Sequence, residues 1–467
     1  MKLPVEFVTY TRRLLGEETY NQFEEALQME PVTSLRINPQ KAFVDVASSS
    51  VHLTSVPWAS EGYYASERPT FTFDPLFHAG CYYVQEASSM FVEQVLRCYV
   101  SGPSVMLDLC AAPGGKSTHA RSTLPEGSLL VSNEVMRQRV QILAENMVKW
   151  GYPDVVVTNN DPADFGKLKH FFDVILTDVP CSGEGMFRKD SVAVDEWSPE
   201  NVTLCWQRQR RIVADVWDSL KPGGIFIYST CTFNLHEDEE NIEWMMSEFG
   251  AEPLDVPVQP EWNITSNLAG TGIPVYRFLP HRTQGEGFFL AALRKPSDEQ
   301  VETCEQRKDK KKNRKLKAPV VPLQCKEWLL DSSCWEWTCK GEHVVAIPLC
   351  HKDKIEVLQQ QLKVIHTGVE VCELKGKDCV PLHGLAMSTA LAGNAFPMCE
   401  LSYEQAIAYL RKEALQLDGS LPRGYVLVTY KGAPLGFVKH LGNRANNLYP
   451  SEWRIRSGYL PEKISCL

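Results

Sequence analysis

From about Ser104 the chain alternates between short apolar runs and longer segments with helical spacing. Val105 to Asp108, Leu129 to Asn133, Val155 to Thr158, Val174 to Thr177 and Ile225 to Ser229 are runs of strand length. Lys116 to Ser122, Arg137 to Trp150 and Pro199 to Leu220 lie between them and read as helices. Regular strand–helix alternation predicts an α/β fold, a parallel sheet with helices on both faces. Tyr276 to Leu279 and Phe288 to Leu293 add late strands, joined as a hairpin through Gly285-Glu286-Gly287.

The flanking segments follow other patterns. Val5 to Leu27 has helical spacing, Thr33 to Asn38 reads as a short strand closed by Pro39, and Gly80 to Met90 leads into a helix ending near Tyr99. Beyond Pro296, charged residues with few apolar ones run to about Lys317, a solvated linker that cannot build a core. Globular composition returns from Val320 to Leu391. A last unit holds a helix, Tyr403 to Gln416, and a hairpin of Gly424 to Tyr430 with Leu435 to His440, turned at Lys431-Gly432. The predicted division is a small mixed N-terminal module at 1–95, an α/β core at 96–295, a basic flexible linker at 296–319, a middle α+β domain at 320–398 and a C-terminal α+β unit at 399–467.

Composition narrows the class. A chain of 467 residues exceeds one core. No stretch approaches the ~20 apolar residues that cross a bilayer. The start, Met-Lys-Leu-Pro-Val-Glu-Phe, has no apolar signal core, so a cytoplasmic protein with no membrane partner is expected. Fifteen scattered cysteines suit reduced thiols rather than a disulfide framework. Cys325, Cys334, Cys339 and His343 come nearest to a metal pattern, but they include no C-x2-C pair, and buried cysteines acting as small hydrophobes are the preferred reading. No metal is expected. The net charge of −10 argues at first against nucleic acid, yet phosphates respond to local patches. Two basic clusters stand out, Arg307 to Lys317 and the stretch from Asp418, where Lys and Arg exceed Asp and Glu by four.

The chemistry-bearing residues cluster after the strands. Asp108-Leu109-Cys110-Ala111-Ala112-Pro113-Gly114-Gly115-Lys116-Ser117 is a strand end, a small-residue loop and a helix start, where a ligand can approach unpaired backbone N–H groups. Gly115-Lys116-Ser117 would complete a Walker A loop, but Cys110 stands where that motif needs glycine, and G-x-G-x-x-G also fails. Glu134 ends the next strand, placed to accept from both ribose hydroxyls, and Asp161 follows the third at the height of an adenine ring. Together they suit S-adenosyl-L-methionine, whose adenosine needs a ribose clamp and whose sulfonium needs no phosphate cradle. Cys181, in Asp178-Val179-Pro180-Cys181-Ser182-Gly183, and Cys231, in Ser229-Thr230-Cys231-Thr232, each follow a strand and so face the crevice at the sheet's carboxyl ends. Two thiols and a carboxyl group there point to covalent catalysis, without telling which thiol attacks.

Cys110 to Lys116, Asp178 to Gly183 and Ser229 to Thr232 resemble the motifs of the Nop/Sun family of RNA 5-methylcytosine methyltransferases, over about Arg36 to Leu293. Arg277-Phe278-Leu279-Pro280-His281 and Gly285-Glu286-Gly287-Phe288-Phe289 resemble that family's late motif. Gly424 to Arg456, with Gly442-Asn443-Arg444-Ala445-Asn446-Asn447, resembles the tail of RsmF-type enzymes acting on 16S ribosomal RNA. The resemblance implies a class I (Rossmann-like) methyltransferase core, an RNA-binding N-terminal module and a PUA-like RNA-binding end. It implies S-adenosyl-L-methionine held by Cys110, Ala111, Ala112, Pro113, Gly114, Gly115, Lys116, Glu134, Asp161 and Asp178. The implied partner is RNA, foremost ribosomal RNA of the small subunit, engaged by a monomer.

Roles follow from the same resemblance. Carbon 5 of cytosine is a poor nucleophile, so the Cys231 thiolate adds to carbon 6. Protonated Asp178 holds N3, which needs a carboxyl pKa raised in a dry site. Cys181 aids release, and Lys116 positions these groups. A base worked on in this way must be extruded, which calls for an apolar pocket beside Cys231, with Phe187 and Trp197 as candidates. Arg36 and Lys189 are candidate phosphate contacts. Competing readings are a DNA cytosine methyltransferase, whose nucleophile would be Cys181, a tRNA cytosine methyltransferase, a small-molecule methyltransferase that would leave the basic C-terminal unit unexplained, and a ribosome-assembly protein with a vestigial core. The complete set Lys116, Glu134, Asp178, Cys181 and Cys231 speaks against the last.

Overall fold

Gly16, at φ +82°, divides the predicted N-terminal helix into Val5–Leu15 and Glu17–Gln28. The computed structural model describes residues 2–47, 49–297, 321–376, 378–459 and 464–467, so nearly all of the expected linker lies outside the described residues. After the two helices come β1 (Thr33–Ile37), β2 (Leu53–Ser55), β3 (Gly62–Ala65) and β4 (Tyr82–Val84), an antiparallel sheet in the order β2-β3-β1-β4.

The apolar runs then become β5 (Val105–Asp108), β6 (Leu129–Asn133), β7 (Val155–Thr158), β8 (Phe172–Asp178) and β9 (Leu220–Thr230). These five pair in parallel, and the helices Gly115–Thr123, Arg137–Trp150 and Pro199–Trp217 fall where the periodicity places them. β10 (Glu252–Leu254), β11 (Tyr276–Phe278) and β12 (Phe288–Arg294) run antiparallel at one edge, with Tyr276 opposite Leu290 in the expected hairpin. The chain builds from β5 through β6 to β7, then returns to lay β8 and β9 on the other side of β5. That reversal opens a crevice at the carboxyl ends of β5 and β8.

The middle region forms β13 (Trp335–Lys340), β14 (His343–Pro348), β15 (Val364–Thr367), β16 (Val369–Lys375) and β17 (Asp378–Pro381). Four make their own sheet, β13-β14-β16-β17, but β15 pairs with β7 and extends the core sheet to nine strands, β11 included. The last region holds β18 (Met398–Glu400), β19 (Gly424–Tyr430), β20 (Ala433–His440) and β21 (Ala445–Asn447). Lys431 and Gly432, at φ +48° and +78°, make the tight turn between β19 and β20. The preceding helix ends at Leu410 rather than Gln416, because Lys412 turns out of helical geometry and donates to the Tyr449 carbonyl at 2.7 Å.

Apolar residues of this last region share one core with the N-terminal module: Leu35, Leu76 and Tyr82 pack with Leu410, Val428 and Val438. Among the described residues no helix is long and apolar enough to cross a membrane.

Arg36 departs from its expected role. It is 1% exposed, donates to Gln85 Oε1 at 3.0 Å and Thr118 Oγ1 at 2.6 Å, and lies over the Trp150 ring. Burial lowers its pKa to about 9. A side chain so enclosed meets no phosphate; it bolts β1 to the helix Gly115–Thr123. Arg36→Met is expected to lower the unfolding free energy by about 2–3 kcal/mol in urea titration while leaving the salt dependence of RNA binding unchanged.

Candidate active site

β5, β8 and β9 end side by side, and the loops leaving them carry the expected groups to one place. Sγ of Cys181 and Sγ of Cys231 are 3.1 Å apart. Asp178, at the end of β8, accepts from Lys116 Nζ at 2.8 Å through Oδ2 and from Ser229 Oγ at 2.9 Å through Oδ1. Lys116 is held in the first turn of the helix after the small-residue loop, its ammonium 5.0 Å from the centre of the Phe288 ring. Burial disfavours that ammonium, but Asp178, Cys231 and Asp108 outweigh it and raise the Lys116 pKa above its ordinary value. Asp178, expected from the sequence to hold N3 of the base, is paired with the Lys116 ammonium.

The hydrogen bond with Cys231, and then burial, push the Cys181 thiol well above the usual range.

Two carboxylates absent from the sequence reading fix the loops. Glu184 is 1% exposed; its Oε2 accepts from Thr232 Oγ1 at 2.7 Å and Phe233 N at 2.8 Å, and its Oε1 from Trp197 Nε1 and Asn234 Nδ2. Glu237, fully buried, accepts from Ser182 N, Gln209 Nε2 and Asn234 Nδ2, and burial raises its pKa. Each acid thus joins the Cys181 loop to the Cys231 loop. Gly185 donates to the Cys231 carbonyl at 2.8 Å, an approach that a Cβ, 2.9 Å from that oxygen and 2.6 Å from Gly287 O, would prevent. The legible signal was an acid three residues after one cysteine, in a neutral stretch, and six after the other, where it opens the run Glu237-Asp238-Glu239-Glu240.

Phe187 and Trp197 do not line a pocket beside Cys231. Both are buried in a cluster with Phe7, Phe23 and Phe233, where Phe7 meets Phe187 edge-on at 5.0 Å. Their indole and ring faces serve the packing of the N-terminal helices against the loop. Lys189 is partly exposed and pairs with Glu286 at 3.4 Å.

A cavity of about 180 Å³ is lined by Cys110, Ala111, Ala112, Pro113, Gly115, Lys116 and Asp178, and by Tyr83, Gln85 and Glu86 of the N-terminal module. A larger one, about 430 Å³, contains none of these groups and lies where Cys466 and Leu467 meet Phe43 and Leu76. The loop is anchored by Ala111 N on Asn133 O and by Arg139, which donates to the Ala112 carbonyl and pairs with Glu134 at 3.5 Å. Asp161 instead caps the turn Pro162–Lys167 through Ala163 N, is exposed, and is not among the lining residues.

Asp108 supplies the test of fit for a cationic cofactor. It is fully buried, Oδ2 takes the Ser117 hydroxyl at 2.6 Å, and Oδ1 has no donor among the described residues. Burial raises its pKa to about 7. A buried acceptor left open beside a small-residue loop suits a ligand ammonium, so the loop and Asp108 fit S-adenosyl-L-methionine; Glu134, like Asp161, is not among the lining residues and accepts from Met136 N at 2.8 Å.

Comparison with known proteins gives the same direction. The family described as "16S rRNA methyltransferase RsmB/F" matches residues 101–294, the "N-terminal domain of 16S rRNA methyltransferase RsmF" residues 3–87, and the "Methyltransferase RsmF PUA domain" residues 396–455. The chain is 30% identical to ribosomal RNA small subunit methyltransferase F of Klebsiella pneumoniae (strain 342), over 95% of this chain and 94% of that one. It is 31% identical to the protein of that name from Aliivibrio fischeri (strain MJ11), over 98% of each. Among solved structures, a methyltransferase homolog from Pyrococcus horikoshii superimposes with TM-score 0.54 at 27% identity, covering 62% of this chain and 94% of that one. NSun6 from Pyrococcus horikoshii, solved with SFG, shares the fold with TM-score 0.53 at 21% identity, over 62% and 98%.

Cofactor affinity, read by isothermal titration calorimetry, is expected to fall as pH drops below about 7, because protonating Asp108 removes the charge that meets the ammonium. Asp108→Asn is expected to weaken binding by about tenfold, the worth of one charge-assisted hydrogen bond, and to flatten that pH dependence.

Proposed function

Since the chain belongs to the RsmB/F family of 16S rRNA methyltransferases, we propose that it methylates carbon 5 of a cytosine in small-subunit ribosomal RNA, with Cys231 as nucleophile and Cys181 as the releasing thiol. It is an S-adenosyl-L-methionine-dependent enzyme with a class I methyltransferase core. The observation that supports a two-thiol mechanism is the 3.1 Å contact of Cys181 and Cys231 beside the Lys116–Asp178 pair, and the choice of Cys231 as attacker follows from the family resemblance.

Cys231 adds to carbon 6 of the extruded base, and the new C–S bond moves electron density to carbon 5. Bound in the loop 110–116 with Glu134 and Asp108, the cofactor supplies a methyl group made electrophilic by its sulfonium. Asp178 holds the pyrimidine N3, and Lys116, donating to Asp178, positions that carboxyl group and adds positive charge beside it as charge builds on the base. A base, solvent water, then takes the carbon 5 proton, and the electron pair left behind restores the carbon 5–carbon 6 double bond and expels Cys231 as a thiolate. Cys181, a protonated thiol in contact with Cys231, stabilises the departing sulfur by donating to it. A DNA-type mechanism would use Cys181 as the attacking thiolate and leave Cys231 without a role.

The RsmF-type N-terminal and PUA regions supply RNA contacts flanking this site. We take the enzyme to act as a monomer in the cytoplasm, on ribosomal RNA of the small subunit.

Transfer of tritiated methyl groups from S-adenosyl-L-methionine to small subunits is expected to vanish in Cys231→Ala, by at least about 10³-fold. Cys181→Ala is expected to accumulate a covalent protein–RNA adduct on a denaturing gel. Activity surviving in Cys231→Ala but lost in Cys181→Ala would reverse the assignment.

A further inference from the structure

The middle region carries a second group of thiols. Cys325 lies in the helical turn Leu323–Lys326, Cys372 on β16 and Cys379 on β17. Across the β16–β17 ladder Leu374 faces Cys379 and Cys372 faces Pro381, so both cysteines point to one side of the sheet, where the turn covers them. Their three sulfurs lie within 4.8 Å of one another, Cys325 and Cys372 at 3.2 Å, and all three residues are buried. The pattern suspected in the sequence contributes only Cys325; Cys334 is exposed and bonded to Asp331.

We propose that Cys325, Cys372 and Cys379 bind one thiophilic d10 cation, zinc(II) or copper(I), as a structural clip of the middle domain. Three thiolates are the soft ligand set such ions select. Metal–sulfur bonds of ~2.3 Å place the sulfurs ~3.8 Å apart, a rearrangement of about an ångström or less from the observed cluster. The alternative, three thiols as separate hydrophobic fillers, does not explain why residues from three segments, 47 positions apart at the widest of the bonded pair, converge on one point. Trp328, Leu329, Val344 and Val371 enclose them, leaving the sulfurs mainly one another as polar partners.

Ligation exchanges three thiol protons for the cation, and the protons leave to solvent. Thiolates bind the cation and thiols do not, so acid favours the metal-free form. The clip would tie the first described turn after the basic segment to the far edge of its sheet. Leu427 and Phe437 of the β19–β20 hairpin belong to the same hydrophobic cluster, so it also sits beneath the joint with the C-terminal unit.

The test uses the full chain, purified under reductant without chelator and analysed by inductively coupled plasma mass spectrometry. About one equivalent of zinc or copper is expected, falling to about a tenth in Cys372→Ser and Cys379→Ser and unchanged in Cys399→Ser. Which metal is retained distinguishes the two ions. Because the serine variants can misfold, the wild-type chain is also loaded with cobalt(II); sulfur-to-metal charge-transfer absorption that zinc displaces supports the site. A wild-type chain that retains no metal after incubation with either ion overturns the proposal, as does a Cys325–Cys372 disulfide found by mass spectrometry.

Discussion

Glu184 and Glu237 are the constraint on which the site depends. Loops at the ends of neighbouring parallel strands have no ladder to join them, so nothing in β8 or β9 itself sets the distance between Cys181 and Cys231. The two buried carboxylates do so, accepting from Ser182, Thr232, Phe233 and Asn234, and Gln209 closes the set by also reaching the Pro180 carbonyl. A carboxylate without water is tolerated only when such donors surround it, and a network of this kind is stiff because losing one donor strands a buried charge. Rigidity is what two sulfurs in a shared proton and covalent cycle need.

Arg277 extends the same logic one layer outward. It is 1% exposed, holds the Phe233 carbonyl at 3.0 Å and pairs with Asp238 and Glu239. Burial works against its charge, but the two acids raise its pKa above the ordinary value. The segment after Cys231 is thus pinned from two sides, by Glu184 at Phe233 N and by Arg277 at Phe233 O.

How much of this was legible follows from what a sequence pattern encodes. Periodicity reports which face of an element is buried, and so the five parallel strands, the helix Arg137–Trp150 and the β11–β12 hairpin could all be read. Motif residues report chemistry at strand ends, which is why Cys110 to Lys116, Asp178, Cys181 and Cys231 converge as expected. Neither reports a partner distant in sequence. Arg36 looks like any surface arginine until Gln85 and Thr118 close over it, Phe187 and Trp197 look like a pocket until Phe7 and Phe23 pack on them, and β15 carries no mark of β7. Cys372 and Cys379, seven residues apart, lack metal-motif spacing because the turn of β16 into β17, not the spacing, brings them together.

The way the flanking regions are mounted then bears on the selectivity of the proposed reaction. The N-terminal helices share a core with the Cys181 loop, the N-terminal sheet shares one with the C-terminal hairpins, and β15 makes the middle region part of the catalytic sheet. The C-terminal residue is itself inserted, its backbone N–H on Asp74. Surfaces fused to the catalytic sheet in this way stand at fixed distances from Cys231, so the adjustment on binding falls on the RNA. Extruding a cytosine costs a few kcal/mol, which phosphate contacts on those surfaces must offset. Only an RNA whose backbone meets the basic surfaces while an unpaired or easily unstacked cytosine lies over Cys231 gains both terms. On the function proposed above, the separation of these surfaces would then contribute to the choice of nucleotide.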